Sequence, residues 1–417
     1  MMPHEARSLC LSAEKDAAVR HFRHRGIDAH DLARLLRRRE PLPPRLVPTE
    51  IEVEDGAGGT GTVAVHVPSR TTSRRDLGAL IVLHGAGGSG DRILPAFAAL
   101  GERLSMAVLC PTATSLPPGA ANLDLAGLFG KRFTLPRWDL AAPGLPMAAL
   151  RWARAELDVD PDRCVLAGVS MGGLAAWNLG LRYWDQFAAA VPLNGALSVW
   201  ESFGTDRRTR ALLENALALP LFVVHGGRDE QIPPRSDRES VAELRRLGHS
   251  CVEYAEVPDG EHQLSTLGLA ASETLHERLA AWLRMRRRRS QPSELRHRAD
   301  ADHHGRAHWV RLHGISGRAQ AEVRARRTAH HRLDVEVRGA DYVTVDLTGR
   351  WFEPGAEVTV SVNGTDTVVR FEPDLETVIG TYRESADSGI FAEQSISLPV
   401  RRSDGAYIAS EMGSHRC

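Results

Sequence analysis

The sequence predicts an α/β protein: a mostly parallel sheet covered by helices on both faces, followed by a small all-β domain. Three observations carry that prediction. Short continuous apolar runs recur, among them "ALIVLHG", "MAVLCPTA", "RCVLAGVS", "LFVVHGG" and "CVEYAEVPDG", and strands buried on both faces read this way. Helical patterns lie between them, the alternation of a parallel sheet with crossover helices. Further along the chain the apolar period becomes two. Val343, Val345 and Leu347 alternate, as do Val358, Val360 and Val362. Asn363-Gly364 before "TDTVVRF" is then a hairpin signal.

In chain order, residues 14–39 predict a helical hairpin, with Val19, Phe22, Leu32, Leu35 and Leu36 as its apolar stripes and Gly26 as its break. "EPLPPRLVP" closes this N-terminal segment of 1–44. A strand pair is expected at "EIEVED" and "GTVAVHVP", where Val63, Val65 and Val67 alternate. The body of the protein spans 45–289. Its helices are "DRILPAFAALGERL", with Asp91 as N-cap, then "MAALRWARAEL", "GGLAAWNLGLRYW", "SDRESVAELRRLG" and "SETLHERLAAWLRMRRRR". Arg284 and Arg286 to Arg289 read as a cationic helix end that complements the helix dipole and runs into an exposed linker at 290–304. The β-rich domain covers 305–400, and 401–417 is a tail.

Composition excludes several function classes. The 417 residues are 42% hydrophobic and 25% charged with a net charge of −1, so no global field favours nucleic acid or an anionic membrane. The five cysteines are far apart and never form a Cys-x-x-Cys pair, which argues against a disulfide framework and a zinc site. Cys110, Cys164 and Cys251 lie in or beside apolar runs and are expected to be buried. His303, His304, His308, His313, His330 and His331 lack ligand spacing, so no metal is expected. No run of 18 apolar residues exists. The charged start lacks the apolar core of a secretory signal, and the expected location is the cytoplasm.

The chemistry is expected at "LAGVSMGGLAAW", residues 166–177. Ser170 follows a strand run and precedes a helix. A serine on such a turn has its hydroxyl thrust above the sheet, and its neighbours two residues away must be small because strand and helix nearly touch. Gly168 and Gly172 meet that demand, and Gly173 gives the helix room to pack. A serine hydroxyl needs a base, and the base needs an orienting acid. Asp229 in "LFVVHGGRDEQIPP" and His262 in "VEYAEVPDGEHQL" each follow an apolar strand, where catalytic residues of open parallel sheets sit. Glu230, Asp259 and Glu261 are rival carboxylates; His225 reads as structural. The loop "IVLHGAGGSGD" lacks the Gly-Lys-Ser/Thr ending of a phosphate cradle. It supplies an oxyanion donor at Ala86, with Gly85 beside it expected to contact substrate, while Met171, after the nucleophile, supplies the other donor. The long stretch 114–146 is a candidate lid or substrate wall. Trp138 within it is expected to border the substrate pocket, with core packing as the alternative.

"VLHGAGGSGD", "DVDPDRCVLAGVSMGGLAAW", "VVHGGRDEQIP" and "GEH" resemble the serine esterases of the α/β-hydrolase superfamily. The resemblance is to the dienelactone hydrolase-like, phospholipase/carboxylesterase and polyhydroxybutyrate depolymerase-like groups, and covers about 75–285. It implies the α/β-hydrolase fold, no cofactor, Ser170 as nucleophile, Asp229 as acid, His262 as base, and Ala86 and Met171 as oxyanion donors. The chain departs from dienelactone hydrolases in using serine rather than cysteine, and from the secreted depolymerases in lacking a signal peptide. The expected partner is a small-molecule ester. A prolyl-oligopeptidase-like peptidase, a thioesterase and a non-catalytic scaffold are the alternatives, and the oligomeric state is left open.

Overall fold

The computed structural model describes residues 1–400 apart from 13, 40–46, 57, 70–75, 116–135, 199–206, 272 and 317–319. Three helices come first: α1 (Pro3–Ser12), α2 (Lys15–His24) and α3 (Ala29–Arg37). The latter two are the expected hairpin. Val19, Phe22, Leu32 and Leu36 are buried along it, and Gly26 turns the chain with a φ of 66°. The proline-rich stretch after α3, most of the loop 114–146 and the tail 401–417 lie outside the described residues.

The central sheet contains β1 (Glu50–Glu54), β2 (Thr60–His66), β3 (Gly78–Leu83), β4 (Met106–Pro111), β5 (Cys164–Val169), β6 (Ala189–Leu193), β7 (Leu221–Gly226) and β8 (Val252–Val257). Their order is β1-β2-β4-β3-β5-β6-β7-β8. The first two form an antiparallel hairpin, β2 is antiparallel to β4, and β4 through β8 are parallel. Strands β3 to β7 are buried along their whole length. Their continuous apolar runs are therefore explained by helices on both faces. On one face Phe97, Leu100 and Leu104 of α4 (Gly90–Leu104) and Leu279 and Leu283 of a later helix cover the sheet. On the other lie α5 (Gly144–Leu157), α6 (Met171–Arg182) and α7 (Arg235–Arg246), which bury Leu150, Leu174 and Leu244 among others. That later helix is α8 (Thr274–Arg284).

Beyond α8 the chain builds two sheets. One has the order β10-β11-β14-β17 and the other β16-β15-β13-β12-β9. Their strands are β9 (Glu294–Ala299), β10 (Arg306–Ala307), β11 (Val310–His313), β12 (Ala321–Ala329), β13 (Arg332–Arg338), β14 (Tyr342–Leu347), β15 (Glu357–Val362), β16 (Thr365–Arg370) and β17 (Gln394–Pro399). Their buried faces share one apolar cluster that includes Val310, Val345, Val335 and Val360, as in a sandwich. The β15–β16 hairpin turns at Asn363 and Gly364, with φ of 49° and 79°. Positive φ at both positions is what the Asn-Gly pair supplies.

Several expectations are corrected. Residues 290–304 are not an exposed linker: β9 occupies their middle and pairs antiparallel with β12. Asn215 also caps this strand, accepting from the Arg298 N–H (2.8 Å) and donating to the Arg298 carbonyl (2.9 Å). The arginine run is not all solvated either. The helix stops at Arg284, and Arg288 is buried. Its guanidinium bonds both oxygens of buried Asp387 (2.7 and 3.0 Å) and lies 3.0 Å from Asp162. Arg154 lies 3.1 Å from the same Asp387. The β region also carries a helix, α9 (Leu375–Ser385), capped by Asp374 accepting from the Thr377 N–H. Leu375, Val378, Ile379 and Tyr382 on α9 share a core with Phe22, Leu32 and Leu36 of the N-terminal helices. Ser89, not Asp91, is the N-cap residue of α4, and Asp91 sits inside its first turn. Cys110 and Cys164 are buried, but Cys251 is only half-buried, against the Arg286 guanidinium at 2.9 Å.

Candidate active site

β5 ends at Val169 and α6 begins at Met171, so Ser170 alone makes the turn between them. Its φ of 56° and ψ of −119° lie in a region that L-residues rarely occupy. Strand and helix meet too closely for side chains. A Cβ on Gly168 would stand 2.0 Å from the Gly172 carbonyl oxygen, and one on Gly172 2.0 Å from that of Leu83. The Ser170 N–H is held by the Leu193 carbonyl at 2.9 Å. The side chain has nowhere to go but upward, over the carboxyl ends of the strands.

Two loops deliver its partners. Asp229 follows β7 and His262 follows β8. The loops are joined backbone to backbone: Gly227 donates to Val257 (2.7 Å) and Arg228 to Gly260 (2.8 Å). A Cβ on Gly226 would meet the Gly260 carbonyl oxygen at 2.5 Å, which is why this junction needs glycine. His262 Nε2 lies 2.7 Å from Ser170 Oγ, and His262 Nδ1 lies 2.7 Å from Asp229 Oδ2. Asp229 Oδ1 accepts from the N–H groups of Gln231 (3.0 Å) and Ile232 (2.9 Å). Burial raises the carboxyl pKa, but hydrogen bonds from His225, His262 and Ile232 outweigh it and hold the group well below the usual carboxylate range. An ionised Asp229 requires the proton on His262 Nδ1, leaving Nε2 to accept from the serine hydroxyl. The rivals stand apart: Glu230, Asp259 and Glu261 are exposed.

Gly85 lies against the serine. A Cβ on it would stand 3.2 Å from Ser170 Cβ and 3.7 Å from Oγ. The turn continues through exposed Ala86 to Gly87, whose φ is 69°, and closes with the Gly88 N–H on the Gly85 carbonyl (3.1 Å). Met171 is the first residue of α6, so its N–H has no acceptor within the helix. Trp138 does not border an open surface. It is buried in the core, and its indole N–H donates to the His84 carbonyl at 3.0 Å. It therefore packs beneath the turn that carries Gly85 and Ala86.

Three residues of the site escaped the sequence reading. His84 Nε2 accepts from the Ala113 N–H (2.9 Å), so its Nδ1–H donates to the Gly85 carbonyl (2.7 Å). Burial lowers its pKa, which keeps that neutral tautomer and fixes the turn. Asn194, fully buried with φ of 44°, accepts from the Gly226 N–H (2.8 Å) and donates to the Glu261 carbonyl (2.9 Å). It ties the ends of β6 and β7 to the residue before His262. Asp237 lies behind the acid loop, 2.7 Å from His225 Nδ1. A polar residue at the end of an apolar strand was the available signal for His84 and Asn194.

Among the described residues no group of three or more His, Cys, Asp or Glu is arranged to hold a metal. No helix among them is long and apolar enough to cross a membrane. A cleft of about 550 Å³ lies away from Ser170, between α1 and the body, lined by Arg7, Glu52, Arg151 and Trp152 among others.

Strand order, the serine turn and the succession Ser170, Asp229, His262 coincide with one known architecture. Residues 50–284 have the α/β-hydrolase fold. A family model described as "Putative esterase" matches residues 148–265 of it. Esterase LipC of Mycobacterium tuberculosis is 29% identical over 170 residues, 31% of this chain and 42% of that protein. Lysophospholipase-like protein 1 of Mus musculus is 25% identical over 233 residues, 53% of this chain and 92% of that protein. The α/β-hydrolase chain thus spans less than half the length of the first of these relatives. Among solved structures, a thermostable esterase superposes with a TM-score of 0.41 at 23% identity, covering 57% of this chain and 63% of the other. S-formylglutathione hydrolase FrmB from Staphylococcus aureus gives 0.42 at 15% identity, covering 56% and 97%.

Proposed function

We propose that the protein is a serine hydrolase that cleaves a carboxylic ester through an acyl-enzyme intermediate. One observation carries the reading: a strained serine whose Oγ is 2.7 Å from an imidazole that is itself 2.7 Å from a buried carboxylate. Ser170 Oγ attacks the ester carbonyl carbon while His262 Nε2 takes its proton. Asp229 fixes the imidazole tautomer and stabilises the imidazolium that forms. The tetrahedral oxyanion is held by the N–H groups of Ala86 and Met171, the latter at the positive end of α6. His262 then passes its proton to the leaving alkoxide. Water, deprotonated by His262, attacks the acyl carbon, and collapse releases the acid and restores Ser170.

The description of the matched family model and the name of LipC favour an ester over an amide. In this reading residues 45–289 carry the chemistry, and 1–44 and 305–400 brace them. The test is labelling with a fluorophosphonate probe, followed by hydrolysis of p-nitrophenyl esters of graded chain length. Stoichiometric labelling that vanishes in Ser170→Ala, together with turnover, is the expected result. No labelling and no turnover with a folded chain overturns the reading.

A further inference from the structure

The triad acid does not end the chain of hydrogen-bonded groups. His225, the next-to-last residue of β7, is fully buried behind Asp229. Its Nε2 faces the Ile232 carbonyl at 2.8 Å and Asp229 Oδ2 at 3.4 Å. A carbonyl only accepts, so Nε2 carries a proton. Its Nδ1 faces Asp237 Oδ2 at 2.7 Å, and one proton must lie on that contact. Asp237 is buried on α7, and its other oxygen accepts from the Trp177 indole N–H at 2.9 Å. If the shared proton is on the ring, His225 is an imidazolium between two carboxylates. If it is on Asp237, the ring is neutral and Asp229 is a buried anion with no cation behind it. Holding a charge away from water without a partner is costly.

We propose that His225 is a permanently charged positioning residue: an imidazolium that keeps Asp229 ionised and opposes the build-up of positive charge on His262. Burial opposes charge on His225, but hydrogen bonds to Asp229 and Asp237 push its titration up to about 10. Burial leaves Asp237 raised, and the His225 ring and the Trp177 N–H offset this only in part; the ion pair is favoured instead by the geometry, which sets the ring between two carboxylates. The remaining charged groups near the ring lie on β8 and α7. Glu256 is bonded by Arg238 (2.6 and 2.7 Å) and by the Tyr254 hydroxyl (2.7 Å). That pair is internally compensated, as is exposed Arg228, which pairs with Asp259. The inference rests on the proposed hydrolase reading and deepens it.

A cation behind the acid repels positive charge arriving on the His262 ring. Replacing it removes that effect. In His225→Gln, whose amide can still donate to the Ile232 carbonyl, the acid limb of kcat/KM is expected to move up by roughly half a unit to one unit. Asp237→Asn, which takes away the anion that keeps the ring charged, is expected to move it the same way. A residue serving only to pack would change kcat without moving the limb. The second measurement is nitrogen-15 histidine NMR on the unmodified full chain. Both ring nitrogens of His225 are expected to bear protons across the activity range. A neutral ring there, or an unmoved limb in both folded variants, overturns the proposal. Failure of Ser170 to label in the unmodified chain overturns the hydrolase reading instead, and the NMR result still decides the charge on His225.

Discussion

At the scale of single residues, the geometry around Ser170 sets firm expectations. Ser170→Ala removes the group that would form the acyl bond, and kcat/KM is expected to fall roughly 10⁵- to 10⁶-fold with the fold intact. Asp229→Asn permits the wrong imidazole tautomer, and a loss of roughly 10³- to 10⁴-fold is expected. Ester hydrolysis with thermal unfolding as the fold control checks both; turnover within tenfold of the parent in either variant refutes the catalytic role of that residue. Gly168→Ala tests the turn itself. Its Cβ would overlap the Gly172 carbonyl oxygen at 2.0 Å, so strand and helix must part. Loss of fluorophosphonate labelling is expected even though Ser170, Asp229 and His262 all remain. The key residues were legible because each obeys a local rule: glycines flank a serine, and an acid and a histidine follow strand ends. His84 and Asn194 were not, because each works by bonding backbone of a distant segment, and sequence spacing carries no trace of that.

At the scale of elements, the loops after β6, β7 and β8 behave as one platform, and Asn194 is the bolt through it. Asn194→Ala removes the acceptor of the Gly226 N–H and leaves the Glu261 carbonyl with the longer bond from the Thr266 hydroxyl (3.3 Å). A stability loss of about 1–3 kcal/mol is expected, with a larger proportional fall in labelling rate because both catalytic loops loosen. Denaturant unfolding beside labelling kinetics checks this; unchanged kinetics would show that the loops hold themselves. The same platform explains a missed strand. β6 has an alanine-rich lead-in and Pro192 in a central position, where proline argues against a strand. It survives there because its ladder to β7 makes register pairs only at Ala190 and Leu193. Helix α9 was legible in principle. Leu375, Val378, Ile379 and Tyr382 keep helical spacing after the capping Asp374, but the period-two texture around them masked it. β9 was hidden by composition, since "ELRHRA" carries its charges on the edge of a sheet and only Leu295, His297 and Ala299 turn inward.

At the scale of the whole molecule, the catalytic body and the β region are held together by buried polar groups as well as by apolar packing. Arg288→Ala would strand Asp387 and leave Arg154 as its remaining buried partner. Breaking such a pair costs about 3–5 kcal/mol, so a marked fall in the unfolding midpoint is expected, while Arg287→Ala, at an exposed position, should change it little. The interface is also expected to make the protein acid-sensitive. His297 and His308 are buried, and burial pushes each down to about 4. The unfolded chain takes up protons at these residues below about pH 6.5, but the native chain does not until near pH 4. Stability contributed by the neutral rings is therefore lost as pH falls across that window. Unfolding midpoints measured between those limits should decline, and His308→Gln should flatten the decline. A chain ending at residue 289 should fare worse than either variant, because α1–α3 lose α9 and Arg154 and Arg288 lose Asp387. Aggregation of that truncated chain, with recovery when the β region is restored, is the expected outcome.

The shared core of α1–α3 and α9 also bears on biosynthesis. Phe22, Leu32 and Leu36 emerge from the ribosome long before Val378, Ile379 and Tyr382, which cover them. At ordinary elongation rates the nascent helices wait on the order of half a minute for their cover. Until then a greasy stripe is open to chaperones and to neighbouring chains, and completion of the fold must bring the two helical segments together after everything between them has been made.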